Sequence, residues 1–200
     1  MGWLHKFNLN DFIDNENKIK VFVETGTNTG VGLAFAAQHN FDKLYSIEIM
    51  ENLYTQCVNK FKGNNKINLI HDDSINGLVK IMSELSDEPT LYWLDAHLPN
   101  EYDKSYSADY DKDREVVVPL EKELLTIKEN KDVSKDVFIL DDLRVYEEGP
   151  YEMGNYGDVH LVDKNKEGIK FVTDILGETH NIEKDFRDSG YIICTPKEDE

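Results

Sequence analysis

The chain has 200 residues, 40% of them apolar, which is the size of one ordinary domain able to bury a core without staples. Forty acidic against 22 basic residues leave a net charge of −18. That charge repels phosphate backbones and anionic membrane surfaces over a Debye length, which argues against nucleic acid as substrate and against a membrane.

The longest apolar runs fall far short of a membrane span, and Met1 to Lys6 carries no apolar stretch of signal-peptide length. The two cysteines, Cys57 and Cys194, are far apart and each sits inside an apolar pattern. They read as reduced core thiols of a soluble, cytoplasmic protein.

Short β-branched runs alternate with segments of helical period, the signature of a parallel sheet covered by helices on both faces. In chain order, Lys20–Val23 is the first strand, and a glycine-containing turn leads to a helix from about Thr29 to His39. Leu44–Ile47 is the second strand. Met50, Leu53, Tyr54, Cys57, Val58 and Phe61 then recur at spacings of three and four, giving a helix one apolar face. Ile67–Ile70 is the third strand, and Ile75, Leu78, Val79, Met82 and Leu85 form the buried stripe of the next helix.

Leu91–Leu94 and Val137–Leu140 are the fourth and fifth strands, apolar enough to be covered on two faces. Between them a helix begins near Pro119, a residue suited to a first helical turn. A helix over Glu167–Leu176 stops at Gly177. Thr179–Phe186 and Tyr191–Thr195 then flank Arg187-Asp188-Ser189-Gly190, a hairpin turn. The segment 99–118 lacks a clean period and holds Tyr102, Tyr106 and Tyr110 among aspartates. It follows the fourth strand, where such a sheet presents its ligands, so it reads as a substrate lid inserted in a single domain spanning residues 1–200.

Glu24-Thr25-Gly26-Thr27-Asn28-Thr29-Gly30 stands between the first strand and first helix. Its glycines let a ligand approach the backbone and the helix dipole, or serve only a tight connection. Glu24, two positions before Gly26, opposes a dinucleotide pyrophosphate but suits the ammonium of a methionine moiety, which favours S-adenosylmethionine (SAM) over NAD. Glu48, ending the second strand, can accept from both ribose hydroxyls of a nucleoside. In His71-Asp72-Asp73-Ser74 a carboxylate can meet the exocyclic amine of adenine, or cap the helix containing Ile75.

The motifs E-T-G-T-x-x-G, S-I-E, H-D-D-S, Y-W-L-D-A-H, P-L-E-K-E-L and I-L-D-D occur in the order seen in a group of bacterial and viral SAM methyltransferases, which the chain resembles from Val21 to Tyr146. The resemblance implies a Rossmann-like class I methyltransferase fold: α/β, with a seven-stranded mainly parallel sheet and an antiparallel C-terminal hairpin. It implies SAM as cofactor, held by Glu24, Thr25, Gly26, Thr27 and Gly30, by Glu48, by Asp72, Asp73 and Ser74, and by Asp95. The chain departs from the group in having Asp72 where a glycine is usual, which leaves open whether Asp72 or Asp73 meets the adenine.

Asp95 after the fourth strand and Asp141-Asp142 after the fifth look like the carboxylates of metal-dependent catechol-type O-methyltransferases. That likeness implies Mg2+ or Mn2+ bound by Asp95, Asp141 and Asp142. Asp95 and His97 are the candidate catalytic residues, His97 as general base because its ordinary pKa lies near neutrality. Arg144 and Tyr146 are weaker candidates for the acceptor site, while Trp3, Phe7, Phe12, Tyr92 and Trp93 read as packing residues. The expected reaction is methyl transfer to a hydroxyl of a small molecule or saccharide. An NAD-dependent oxidoreductase or epimerase and a catalytically silent SAM-binding module are the rival readings, and the oligomeric state is left open.

Overall fold

The structure is a computed structural model that describes residues 3–13, 18–85, 88–97, 118–156 and 168–198. After a 3-10 turn at Leu4–Lys6 and α1 (Asn10–Ile13) come β1 (Val21–Thr25), α2 (Val31–Ala36), β2 (Lys43–Glu48), α3 (Glu51–Lys60), β3 (Ile67–His71) and α4 (Ser74–Glu84). They are followed by β4 (Thr90–Leu94), α5 (Leu120–Asn130), β5 (Val137–Leu140), α6 (Leu143–Tyr146), α7 (Lys170–Leu176), β6 (His180–Asp185) and β7 (Tyr191–Pro196).

The seven strands form one sheet in the order β3-β2-β1-β4-β5-β7-β6. The first five run parallel, and β7 lies antiparallel between β5 and β6. Every residue of β1, β4 and β5 is buried, as continuous apolar runs must be when both faces are covered. No residue of the edge strand β3 is buried, which its outer position explains.

Alternate strand residues feed two cores. Val23, Tyr45, Ile47, Tyr92, Leu94 and Phe138 pack against α4, α5 and α7 through Leu78, Ile81, Leu124, Ile127, Val172 and Leu176. Phe22, Leu44, Leu91, Trp93 and Ile139 pack on the other face against Leu33 and Ala36 of α2 and the amino-terminal Leu4, Phe7, Leu9 and Ile13. Tyr92, Trp93 and Phe7 are thus packing residues, whereas Trp3 is 42% exposed.

Several boundaries differ from the sequence expectation. Glu24 and Thr25 are the last residues of β1 rather than part of the turn, because both pair in register with β2 and β4. The first long helix shrinks to Val31–Ala36, since Gly30 before it is left-handed at φ 69° and a turn begins at Ala37. Pro119 caps α5, and the Arg187–Gly190 turn is closed by a bond from Gly190 N–H to the Arg187 carbonyl, 2.8 Å. The lid expected at 99–118 lies outside the described residues apart from its last position, Val118, which is buried in the core beneath α5.

Candidate active site

Sheet order reverses at β1, which lies between β2 and β4, and a doubly wound sheet binds ligands at the carboxyl ends of strands around such a switch point. The residues singled out by sequence gather there in two adjoining groups.

The first group surrounds the turn after β1. Glu24 is 2% exposed and accepts a hydrogen bond from Ser46 Oγ at 2.5 Å, and Thr27 Oγ1 lies 2.5 Å from the same serine oxygen. A Cβ on Gly32 would come within 2.3 Å of Glu24 Oε1, so the carboxyl is packed against α2. Burial, aided by the charge of Glu48, pushes its pKa up to about 8. Glu48 is held by backbone: Asn28 N–H donates to Oε2 at 2.7 Å and Met50 N–H to Oε1 at 2.8 Å. Burial raises the pKa of Glu48 in spite of these two bonds.

Gly26 and Gly30 are demanded by the chain's own packing. Gly26 has φ 79°, and a Cβ there would lie 2.4 Å from the Asp95 carbonyl oxygen, so the turn presses on the end of β4. At Gly30 a Cβ would meet the Phe61 ring at 2.7 Å. After β3 the two aspartates divide their work. Asp73 is the N-cap of α4, accepting from Asn76 N–H at 2.8 Å, while Asp72 pairs with Lys80, which holds its carboxyl below the usual range. Both side chains are only partly buried.

The second group lies at the ends of β4 and β5. The ladder continues past both strands, with Asp95 N–H bonding the Thr25 carbonyl at 3.2 Å and Asp141 N–H the Leu94 carbonyl at 3.1 Å. Asp142 is left-handed at φ 56°, a conformation aspartate tolerates, and caps the short α6. His97 bridges the strand ends: Nδ1 stands 3.3 Å from Asp95 Oδ1, and Nε2 is in close contact with Asp142 Oδ2. Arg144 Nε reaches Asp142 Oδ1 at 3.4 Å. Burial opposes charge on both His97 and Asp142, yet each favours the ionised form of the other, so the imidazole pKa rises and the Asp142 carboxyl falls well below the usual range. Asp95 is raised well above the usual range by burial and by the like charges of Asp141 and Asp142.

Of the residues expected to hold a metal, Asp95 and Asp142 come together with His97. Asp95, His97 and Asp142 each offer one ligand atom within 4.8 Å of the others, and Asp141 is outside that trio. Asp141 accepts from Ser189 Oγ at 2.9 Å, and its pKa is raised by burial and by Asp142. Ser189 comes from the β6–β7 turn, whose Gly190 and Ser189 carbonyls also accept from Leu143 and Arg144 N–H. Sequence reading attached no role to Ser46, Ser189 or Glu123. Glu123 lies on the stripe of Leu120, Leu124 and Ile127, an acid where the helical period calls for an apolar residue, and that is the signal by which it was findable.

A narrow pocket partly open to solvent is lined by Leu94–His97, Pro119, Leu120, Glu123, Asp141, Asp142, Val145 and Tyr146. Among the described residues no helix is long and apolar enough to cross a membrane.

Sheet order, antiparallel hairpin and a polar site at the switch point define the Rossmann-like fold of the class I methyltransferases. Solved structures share it at low identity. A protein named as a caffeoyl-CoA O-methyltransferase from Staphylococcus aureus is 16% identical with a TM-score of 0.55, over 98% of this chain and 85% of that one. A protein named as a methyltransferase from Streptococcus mutans, in complex with SAH, is 13% identical with a TM-score of 0.57, over 97% of both chains. An rRNA methylase from Streptococcus thermophilus is 10% identical with a TM-score of 0.50, over 90% of this chain and 88% of that one. No family model and no curated protein sequence matches the chain.

Proposed function

We propose that the protein is a SAM-dependent methyltransferase acting on a hydroxyl of a small molecule or saccharide. The observation that carries this reading is the Asp95–His97–Asp142 cluster at the ends of β4 and β5, directly beside the Gly26 turn of a class I methyltransferase sheet. Glu48 and the Asp72–Ser74 segment stand at the ends of β2 and β3, where a nucleoside has carboxylates to meet. SAH in one structural neighbour and the O-methyltransferase name of another support the same reading.

In this reaction an acceptor oxygen attacks the sulfonium methyl in line. The S–CH3 bond breaks, and its electron pair stays on sulfur as S-adenosylhomocysteine (SAH). In its neutral form His97, with Nε2–H donating to Asp142, takes the hydroxyl proton at Nδ1, the nitrogen that faces Asp95, and Asp142 stabilises the imidazolium that forms. Asp95, His97 and Asp142 also fit a divalent cation such as Mg2+ or Mn2+, since they offer oxygen and imidazole donors around one point. Such an ion, when bound, supplies a lower acceptor pKa and a fixed acceptor orientation.

The net charge of −18 favours a small acceptor over nucleic acid, although the fold itself also serves an rRNA methylase. Calorimetry with SAH and NAD tests the reading: SAH binds and NAD binds much more weakly. NAD binding without SAH heat refutes it.

A further inference from the structure

Glu123 is a carboxylate that the proposed reaction does not use. It is 1% exposed, projects from the apolar stripe of α5 and lines the pocket beside Asp95 and His97. Among the described residues its Oε1 has no hydrogen-bond partner. An unpaired buried carboxylate oxygen is costly, about 1–3 kcal/mol or more, so such an atom in a pocket wall marks where a ligand donor belongs.

The hydroxyls of Ser74 and Thr25 approach the carboxyl and favour its ionised form, but burial dominates and lifts its pKa to about 7. These neighbours place it between the end of β1, the start of α4 and the acceptor cluster. The same pocket wall carries Asp95, Asp141 and Asp142. Four carboxyls, Glu123 included, face the His97 imidazole and the Arg144 guanidinium, so acids outnumber the cations beside them. A neutral hydroxyl would give Oε1 a partner but leave that surplus of negative charge in place. An ammonium group meets both demands, because it donates up to three hydrogen bonds and brings the compensating charge.

We propose that Glu123 is a ligand-binding residue whose Oε1 receives an ammonium group of the molecule occupying this pocket. The inference deepens the methyl-transfer reading and uses the same site. An ammonium can come from two sources, the methionine end of the cofactor or an amine on the acceptor.

The test compares the wild-type chain with Glu123→Gln, which keeps the shape and removes the charge, and with Glu123→Leu as a second packing variant. Two measurements are made on each. SAH affinity is measured by calorimetry, and thermal stabilisation by glucosamine against glucose and by ethanolamine against ethylene glycol is measured with and without SAH. A loss of SAH affinity of about tenfold or more in both variants supports the proposal and assigns the ammonium to the cofactor. Unchanged SAH affinity, with stabilisation by an amine but not its neutral analogue in the wild type and neither variant, supports it and assigns the ammonium to the acceptor.

Equal SAH affinity in all three chains, with no amine-specific stabilisation of the wild type, overturns the proposal. A wild type that binds no SAH refutes the methyltransferase reading, and the amine comparison then decides the role of Glu123 alone.

Discussion

Replacing Glu24 by glutamine isolates the cost of burying an acid under the first turn. Burial lifts this carboxyl from 4.5 to about 8. Between those values the folded chain keeps a proton that the unfolded chain has released, so stability falls as pH rises, by about 1.4 kcal/mol per unit. Below the lower value both states are protonated, and above the upper one both are ionised, so the slope is confined to that window. By pH 7 the loss has built up over about two and a half units, which amounts to about 3 kcal/mol.

Glutamine does not titrate, fills nearly the same space and still accepts from Ser46 Oγ, while its amide N–H2 faces the packed side of α2. Leaving that donor unpaired offsets the gain by about 1–3 kcal/mol, but this offset does not change with pH. Glu123 and Asp136, each raised to about 7 by burial, are common to both chains and cancel in the difference. Urea unfolding from about pH 5 to about pH 8 therefore shows the variant gaining on the wild type by about 1.4 kcal/mol for each unit. Parallel stability curves would refute the reasoning.

Glu48→Ala leaves Asn28 and Met50 N–H without their acceptor, so it lowers stability by about 1–3 kcal/mol in urea unfolding and weakens SAH binding by about ten- to a hundredfold in calorimetry. Unchanged SAH affinity would move the ribose site elsewhere. Gly26→Ala forces a Cβ against the Asp95 carbonyl at φ 79°, where backbone meets backbone and neither side chain can yield. A loss of more than about 2 kcal/mol is expected in thermal unfolding followed by circular dichroism, and a neutral result would show that the turn is looser than the structure has it. Turnover after exhaustive chelation, then addition of Mg2+ or Mn2+, separates the two uses of the Asp95–His97–Asp142 trio. Full activity in chelator assigns the proton transfer to His97 alone, whereas loss and rescue assign the trio to a metal.

Much of the fold was legible in the chain because the signals are local. Short apolar runs place β1 to β5, spacings of three and four place α3 and α4, and Gly177 and the Arg187–Gly190 turn mark the final hairpin. The ends of elements were less legible. Glu24 and Thr25 belong to β1 because β2 and β4 flank them in register, a condition no window of sequence contains.

The site divides along the same line. Sequence alone determined that acids follow β2, β3, β4 and β5, since a residue after an apolar run must lie at that strand's end. Only the tertiary structure decided what each acid does there. Ser189, 48 positions beyond Asp141, donates to its carboxyl, and His97 stands between Asp95 and Asp142. The helix α5 carries Glu123 to the same pocket. Hydrogen bonds and charge couplings act over a few ångströms of space whatever the separation along the chain, so the partners of a buried carboxylate emerge only once the sheet has brought its strand ends together.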